Sequence, residues 1–178
     1  MQISKSWRDL APRGNGQHSE PPESYLNRIR LNDAYDHIPD EVFTQWIYPH
    51  HRNDQTLQNY AWLDYTLVRF DTEEWDFVRL NSVNLIPLYQ NMREGIDHPL
   101  ENIPLSEQPF WAEQGTWRVP PIVLDVHSLT KNRPAQAVLV PPYQLVEGHS
   151  RFRNLLISHH QKRKSAPLHQ LYVMRGGE

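Results

Sequence analysis

The stretch Tyr143-Gln-Leu-Val-Glu-Gly-His-Ser-Arg-Phe-Arg-Asn-Leu-Leu156 reads as a strand, a tight turn and a helix. Tyr143-Gln-Leu-Val146 is rich in residues that suit a pleated, half-buried surface. From Ser150 to Ile157 the period changes, and Phe152, Leu155 and Leu156 fall on one helical face. Between the two stands Gly148. Of the seven glycines only Gly95, Gly115 and Gly148 lie between residues 17 and 175. A glycine at this bend permits a positive φ or the close approach of another group to the backbone.

The same bend carries the chemistry. The first turn of a helix leaves backbone N–H groups without intrahelical partners, backed by the positive end of the helix dipole. Arg151 lies in that turn, and His149 and Ser150 can donate beside it, which is the makeup of a phosphate or carboxylate site. Glu147, directly before the glycine, could hold a cation or accept the proton of a hydroxyl attacking a phosphoryl group. A plainer reading makes Ser150 an N-cap, Arg151 a surface cation and Glu147 a turn residue. The catalytic reading requires an open bend and an arginine that is not committed to an internal ion pair.

Working outward, Pro120-Pro-Ile-Val-Leu-Asp-Val126 is a short apolar run of the kind found in strands buried on both faces. Ala137–Val140 is a further candidate strand, and Leu171–Met174 would close the sheet. Asp125 ends its strand, and His127 follows two residues later. Asp125 is either a cap for the following loop or a ligand carrying Mg²⁺ beside phosphates at the strand ends. Upstream, Pro39-Asp40-Glu41 opens a helix with Val42, Phe43, Trp46 and Ile47 as its stripe, interrupted by Pro49. A second helix follows Asp54. Tyr65–Phe70 reads as a strand, and Asp71 with Glu74 has capping-box spacing for a helix carrying Trp75, Phe77, Val78 and Leu80. Residues 1–24, rich in Gly, Pro and polar side chains from Ala11 to Pro22, read as a flexible arm. Trp111 and Trp117 read as exposed. The class is α+β with a mixed sheet.

The chain has 178 residues, with 38% hydrophobic, 22% charged and 11% aromatic residues. That suits one globular domain with additions and argues against wholesale disorder. The absence of Cys excludes a disulfide scaffold, a thiol nucleophile and cysteine-ligated metal. No apolar run has membrane-spanning length, and residues 1–10 lack a signal-peptide core, so a cytoplasmic protein is expected. Charge is uneven. Residues 1–150 hold 12 Lys/Arg against 20 Asp/Glu, whereas residues 151–178 hold six basic residues against Glu178. A basic end on an acidic body suits an anionic partner near that end. Among the ten histidines there is no His-Glu-x-x-His and no His-x-His, which gives a zinc hydrolase little support.

The succession Pro120-Pro-Ile-Val-Leu-Asp125, Tyr143–Leu156 and His169-Gln-Leu-Tyr-Val-Met174 resembles the ParB/sulfiredoxin-like superfamily, over roughly residues 104–178. Glu147-Gly148-His149-Ser150-Arg151 is similar to the Asp-Gly-His-His-Arg turn of members such as the free serine kinases. The resemblance implies a ParB/sulfiredoxin-like small mixed sheet with flanking helices, preceded by an N-terminal mainly helical elaboration over residues 25–103. It also implies a nucleotide-phosphate site at Gly148, His149, Ser150 and Arg151, with Glu147 and His149 as catalytic candidates. ATP or CTP would be the nucleotide, and Mg²⁺ its companion. The departures are specific. His149 stands where sulfiredoxins place Cys, so thiol chemistry is excluded. Ser150-Arg151 replaces the arginine pair of partition ParB proteins, and too few residues follow for a separate DNA-reading domain. The family's catalytic glutamate precedes the motif, and Glu94, Glu101, Glu107 and Glu113 are all eligible.

Three readings follow. The first is a nucleotide- or phosphate-binding protein, with phosphoryl transfer or nucleotide hydrolysis at the bend. The second is a ParB-like nuclease, its substrate guided by Lys162-Arg163-Lys164. The third is a non-enzymatic interaction module that docks a protein partner through its aromatic N-terminal half.

Overall fold

The fold is described from a computed structural model for residues 2–14, 19–93, 103, 106–129 and 133–177. Gly95, Glu94, Glu101 and Glu178 lie outside the described residues. The class is α+β. Four strands, β1 (Arg69–Trp75), β2 (Ile122–Asp125), β3 (Tyr143–Glu147) and β4 (His169–Arg175), form one sheet in the order β1-β4-β2-β3. The sheet is mixed; β2 and β3 are antiparallel, and outside the four strands Asn84 makes an isolated parallel bridge to Gln144. Among the described residues no helix is long and apolar enough to cross a membrane.

The chain divides into two compact units interleaved along the sequence. One comprises Met1–Phe70, His127–Leu139 and Met174–Glu178, and the other Asp71–Val126 and Val140–Val173.

The first unit is built from α1 (Lys5–Leu10), α2 (Pro22–Arg30), a helical run from Asp40 to His50, and α5 (Asp54–Asn59). The segment expected as an arm is anchored at α1. Ser4 caps that helix by accepting from the Trp7 N–H at 3.1 Å, and Trp7 and Leu10 are buried. The spacing of Trp7 and Leu10 puts both on one helical face, so even two turns bury enough to dock. Trp7 lies 5.9 Å from Trp46 and 5.3 Å from Tyr65 between ring centroids. The run through Pro49 is not interrupted. α3 (Asp40–Val42) passes into a π-helical segment, Phe43–Ile47, and then into α4 (Tyr48–His50). The wider turn sends the Tyr48 N–H to the Phe43 carbonyl, five residues back. A π-bulge relieves the register that a proline, lacking its N–H, would break in a regular helix.

The predicted strand at 65–70 begins later, at Arg69. Asp64 competes for the intervening backbone: its carboxylate accepts from the Thr66 N–H and hydroxyl, and its carbonyl accepts from Leu67 and Val68. That turn holds Tyr65 buried, with its N–H donated to the Ser6 hydroxyl at 2.8 Å. The predicted Asp71–Glu74 capping box is likewise part of β1. The cap is Asp76, whose carboxylate accepts from Arg79 N–H at 2.8 Å to open α6 (Phe77–Asn81). Ala137–Val140 is not a strand. There Val138 donates to the Asn59 side chain and Val140 to the Gln144 side chain, so side chains stand in for a ladder.

The second unit holds β2, β3 and most of β1 and β4, with α7 (Gln108–Gln114) and α8 (His149–His160). Ile122, Val123 and Leu124 are fully buried, as expected for β2. Phe152, Leu155 and Leu156 of α8 pack in one cluster with Val123, Leu145, Leu171, Val173 and Trp75. Trp111 and Trp117 belong to that cluster and are buried, correcting their reading as exposed. Both find hydrogen-bond acceptors for their indole N–H, on the Ser158 hydroxyl and the Gln170 carbonyl, which makes burial of the polar edge tolerable.

Candidate functional site at the β3–α8 bend

The bend forms where it was expected. β3 ends at Glu147, Gly148 adopts φ +96, and α8 starts at His149. The first intrahelical bond runs from Phe152 N–H to the Gly148 carbonyl at 2.9 Å. Glycine is required here for two reasons. Its φ lies in the left-handed region, and a Cβ would stand 2.5 Å from Pro121 Cβ. Gly148 brings no side-chain cap to the helix, and Ser150, read as a candidate cap, sits inside α8 and is exposed.

The charged pair of the motif turns inward on itself. Arg151 and Glu147 form an ion pair through the Arg151 Nη2 and Glu147 Oε2 atoms. The Arg151 Nη1 donates to the Val119 carbonyl at 2.9 Å. Both side chains are about three-quarters or more buried, at 25% and 20% exposure. Pro121 closes over Gly148 from the β2 side. Neither condition of the catalytic reading is met: the bend is packed, and its arginine is held in an internal pair. One oxygen of the Glu147 carboxylate is held by Arg151, so a hydroxyl to be deprotonated there would have to share that pair. His149 is also packed, its ring centroid 4.3 Å from that of Tyr89 in the turn Pro87–Arg93.

Asp125 is at the wrong end. In the β2–β3 register Asp125 faces Tyr143, while Glu147 faces Ile122. Because the pair is antiparallel, the carboxyl end of β2 lies against the start of β3, roughly 13 Å from the bend at the strand's usual rise. Asp125 therefore cannot join phosphates at Gly148 through one cation. Among the described residues no three His, Asp or Glu side chains stand together as a metal site.

The remaining candidates disperse. Glu107 pairs with Arg118 at 3.3 Å beside α7, and Glu113 is an exposed residue of that helix. Lys162, Arg163 and Lys164 are exposed after α8, with Lys162 at φ 52. The aromatic side chains Trp7, Tyr25, Tyr35, Phe43, Trp46, Tyr60 and Tyr65 are buried in the core of the first unit.

Comparison with known proteins gives no relative. No protein-family model, curated protein or solved structure matches the chain. The site has to be read from its own geometry. Sequence reasoning found Glu147, Gly148 and Arg151, and missed Val119, Pro121 and Tyr89, which decide what those residues do. The one signal for them was the Pro120-Pro121 pair heading β2, which marks a rigid, extended backbone.

Proposed function

We propose that the chain is a phosphate- or nucleotide-binding protein with a ParB/sulfiredoxin-like C-terminal half, acting by binding rather than by turnover at Glu147. The observation that supports this reading is the Arg151–Glu147 pair beside the glycine-headed start of α8. The helix supplies oriented N–H groups and the positive end of its dipole. Glu147 and the Val119 carbonyl hold the guanidinium at that end in one orientation, so little side-chain entropy is lost when an anion arrives. A phosphate of ATP, CTP or a simpler ester would compete with the Glu147 carboxylate for the same donors. Glu147 is then the internal stand-in for the ligand.

The test is thermal stabilisation by phosphate, ATP and CTP, each with and without Mg²⁺. A ligand that prefers the folded state raises Tm as its concentration passes Kd. Arg151→Ala should abolish the shift. Absence of any shift at millimolar ligand, or a shift indifferent to Arg151, defeats the proposal. Cleavage of a labelled oligonucleotide that Glu147→Gln removes would instead favour the nuclease reading, for which the exposed Lys162–Lys164 run is the supporting feature.

A further inference from the structure

In the first unit a cleft of about 400 Å³ is lined by Arg8, Asp9, Ala11, Arg13, Arg28, Ile29, Asn32 and Tyr35. Its size falls at the lower end of the range for small-molecule sites. Three arginines stand against one carboxylate on its lining.

The three arginines have different roles. Arg28 is spent on building the wall. Its Nε and Nη2 donate to the Glu20 carboxylate at 2.9 and 2.8 Å, its Nη2 also to the Ala11 carbonyl at 3.0 Å, and its Nη1 to the Asp9 carbonyl at 3.3 Å. Glu20 in turn accepts from the Arg13 N–H at 3.1 Å, and the Glu20 N–H returns to the Arg13 carbonyl at 2.8 Å. Arg28 holds the Glu20 carboxyl below its usual range. This network staples residues 9–13 to α2.

Arg13 ends that stapled segment, Arg8 stands one residue before it on α1, and both are exposed. Among the described residues neither guanidinium is in a salt bridge, and Arg8 reaches only the Ile3 carbonyl, at 3.4 Å. Asp9, the single acid of the lining, is exposed and lies near the buried Tyr35. Ile29 and Tyr35, at 2% and 3% exposure, lie beneath the cleft and leave its surface mostly polar. A braced segment and two exposed guanidinium groups outside any salt bridge, with the Arg13 charge also acting on Glu20, make a site for an oxyanion.

We propose that this cleft binds a small doubly charged oxyanion, of which an organic phosphate is the best fit, through Arg8 and Arg13. A dicarboxylate shares the chemistry that two guanidinium forks recognise, so both belong in the test. This site is independent of the β3–α8 bend and stands or falls without it.

The experiment is isothermal titration of the full chain with AMP, inorganic phosphate and succinate. Arg8→Ala, Arg13→Ala and Arg151→Ala are run beside it, with circular dichroism confirming that each is folded. Both cleft arginines are exposed, so neither substitution removes packing. Saturable binding of AMP or succinate is expected, weakened about tenfold or more by Arg8→Ala or Arg13→Ala, as befits loss of a charge-assisted bond. Charge reversal by Arg13→Glu should abolish it, and Arg151→Ala should leave it unchanged. AMP binding above succinate identifies the phosphate arm, and the reverse order the dicarboxylate arm. No saturation with any probe, affinity unchanged in both cleft variants, or loss through Arg151→Ala would overturn the proposal.

Discussion

Arg151 in the first turn of α8 pairs with Glu147 at the end of β3, across the glycine that joins the two elements. An i,i+4 pair usually lies along one helix. Here Gly148 folds the chain so that the pair spans a strand and a helix, which makes the ion pair a brace for the bend. Both side chains are largely buried, so removing one partner leaves the other charge short of compensation.

Glu147→Gln separates a brace from a base. The variant keeps a hydrogen-bond acceptor for Arg151 and loses the charge, costing roughly 1 kcal/mol in chemical denaturation. Phosphate should then bind as tightly as in the parent or more tightly, since its internal competitor is weakened. A fall in phosphate affinity would show that the carboxylate contributes to binding.

Gly148→Ala should destabilise by about 2 kcal/mol or more, read from the urea midpoint. A left-handed φ and a Cβ placed on Pro121 act in the same direction. Ser150→Ala, two residues on and exposed, should stay within about 0.5 kcal/mol. Equal effects would mean that the bend opens to admit the methyl group.

Trp7→Ala tests whether the N-terminal segment belongs to the first unit. Losing a buried indole that touches Trp46 and Tyr65 should cost roughly 3–5 kcal/mol. A loose arm would predict almost no change in the unfolding midpoint.

Stability should fall on acidification through His169. The ring is fully buried, its Nδ1 2.9 Å from the Thr116 hydroxyl, and burial pulls its pKa down to about 4. The unfolded chain therefore binds a proton that the folded chain refuses between about pH 6.5 and that lower value. The stabilisation is complete above the unfolded pKa and is lost as pH falls through this window, at up to about 1.4 kcal/mol per pH unit. His169→Gln should flatten that part of the stability curve. An unchanged slope would assign the acid sensitivity to another group.

Asp125→Asn should leave phosphate affinity unchanged with or without Mg²⁺, because Asp125 faces Tyr143 at the far end of the β2–β3 pair. A magnesium-dependent loss in that variant would mean that a cation bridges the two ends.

The amino-acid sequence alone determined β2, β3, β4 and α8, along with the glycine bend between β3 and α8. Those elements rest on local signals: an apolar run, a change of period from 2 to 3.6, and one position that tolerates no Cβ. It also marked Arg151 and Glu147 as the charged residues of the turn. Tertiary structure decided what local signals could not reach. Asp64 and Asp76 each took the backbone bonds that set where β1 and α6 begin, overriding the propensity of Tyr65–Phe70 and the spacing of Asp71 and Glu74. Antiparallel pairing moved Asp125 away from the bend, and the Val119 carbonyl and Glu147 hold Arg151 in a brace from which an anion has to displace the carboxylate. The arginine cleft left no motif at all, because Arg8, Arg13 and Arg28 meet only when α2 is stapled to the segment before it. Backbone preference is written residue by residue, whereas the partner of a charge is chosen by whichever distant groups the fold brings within reach.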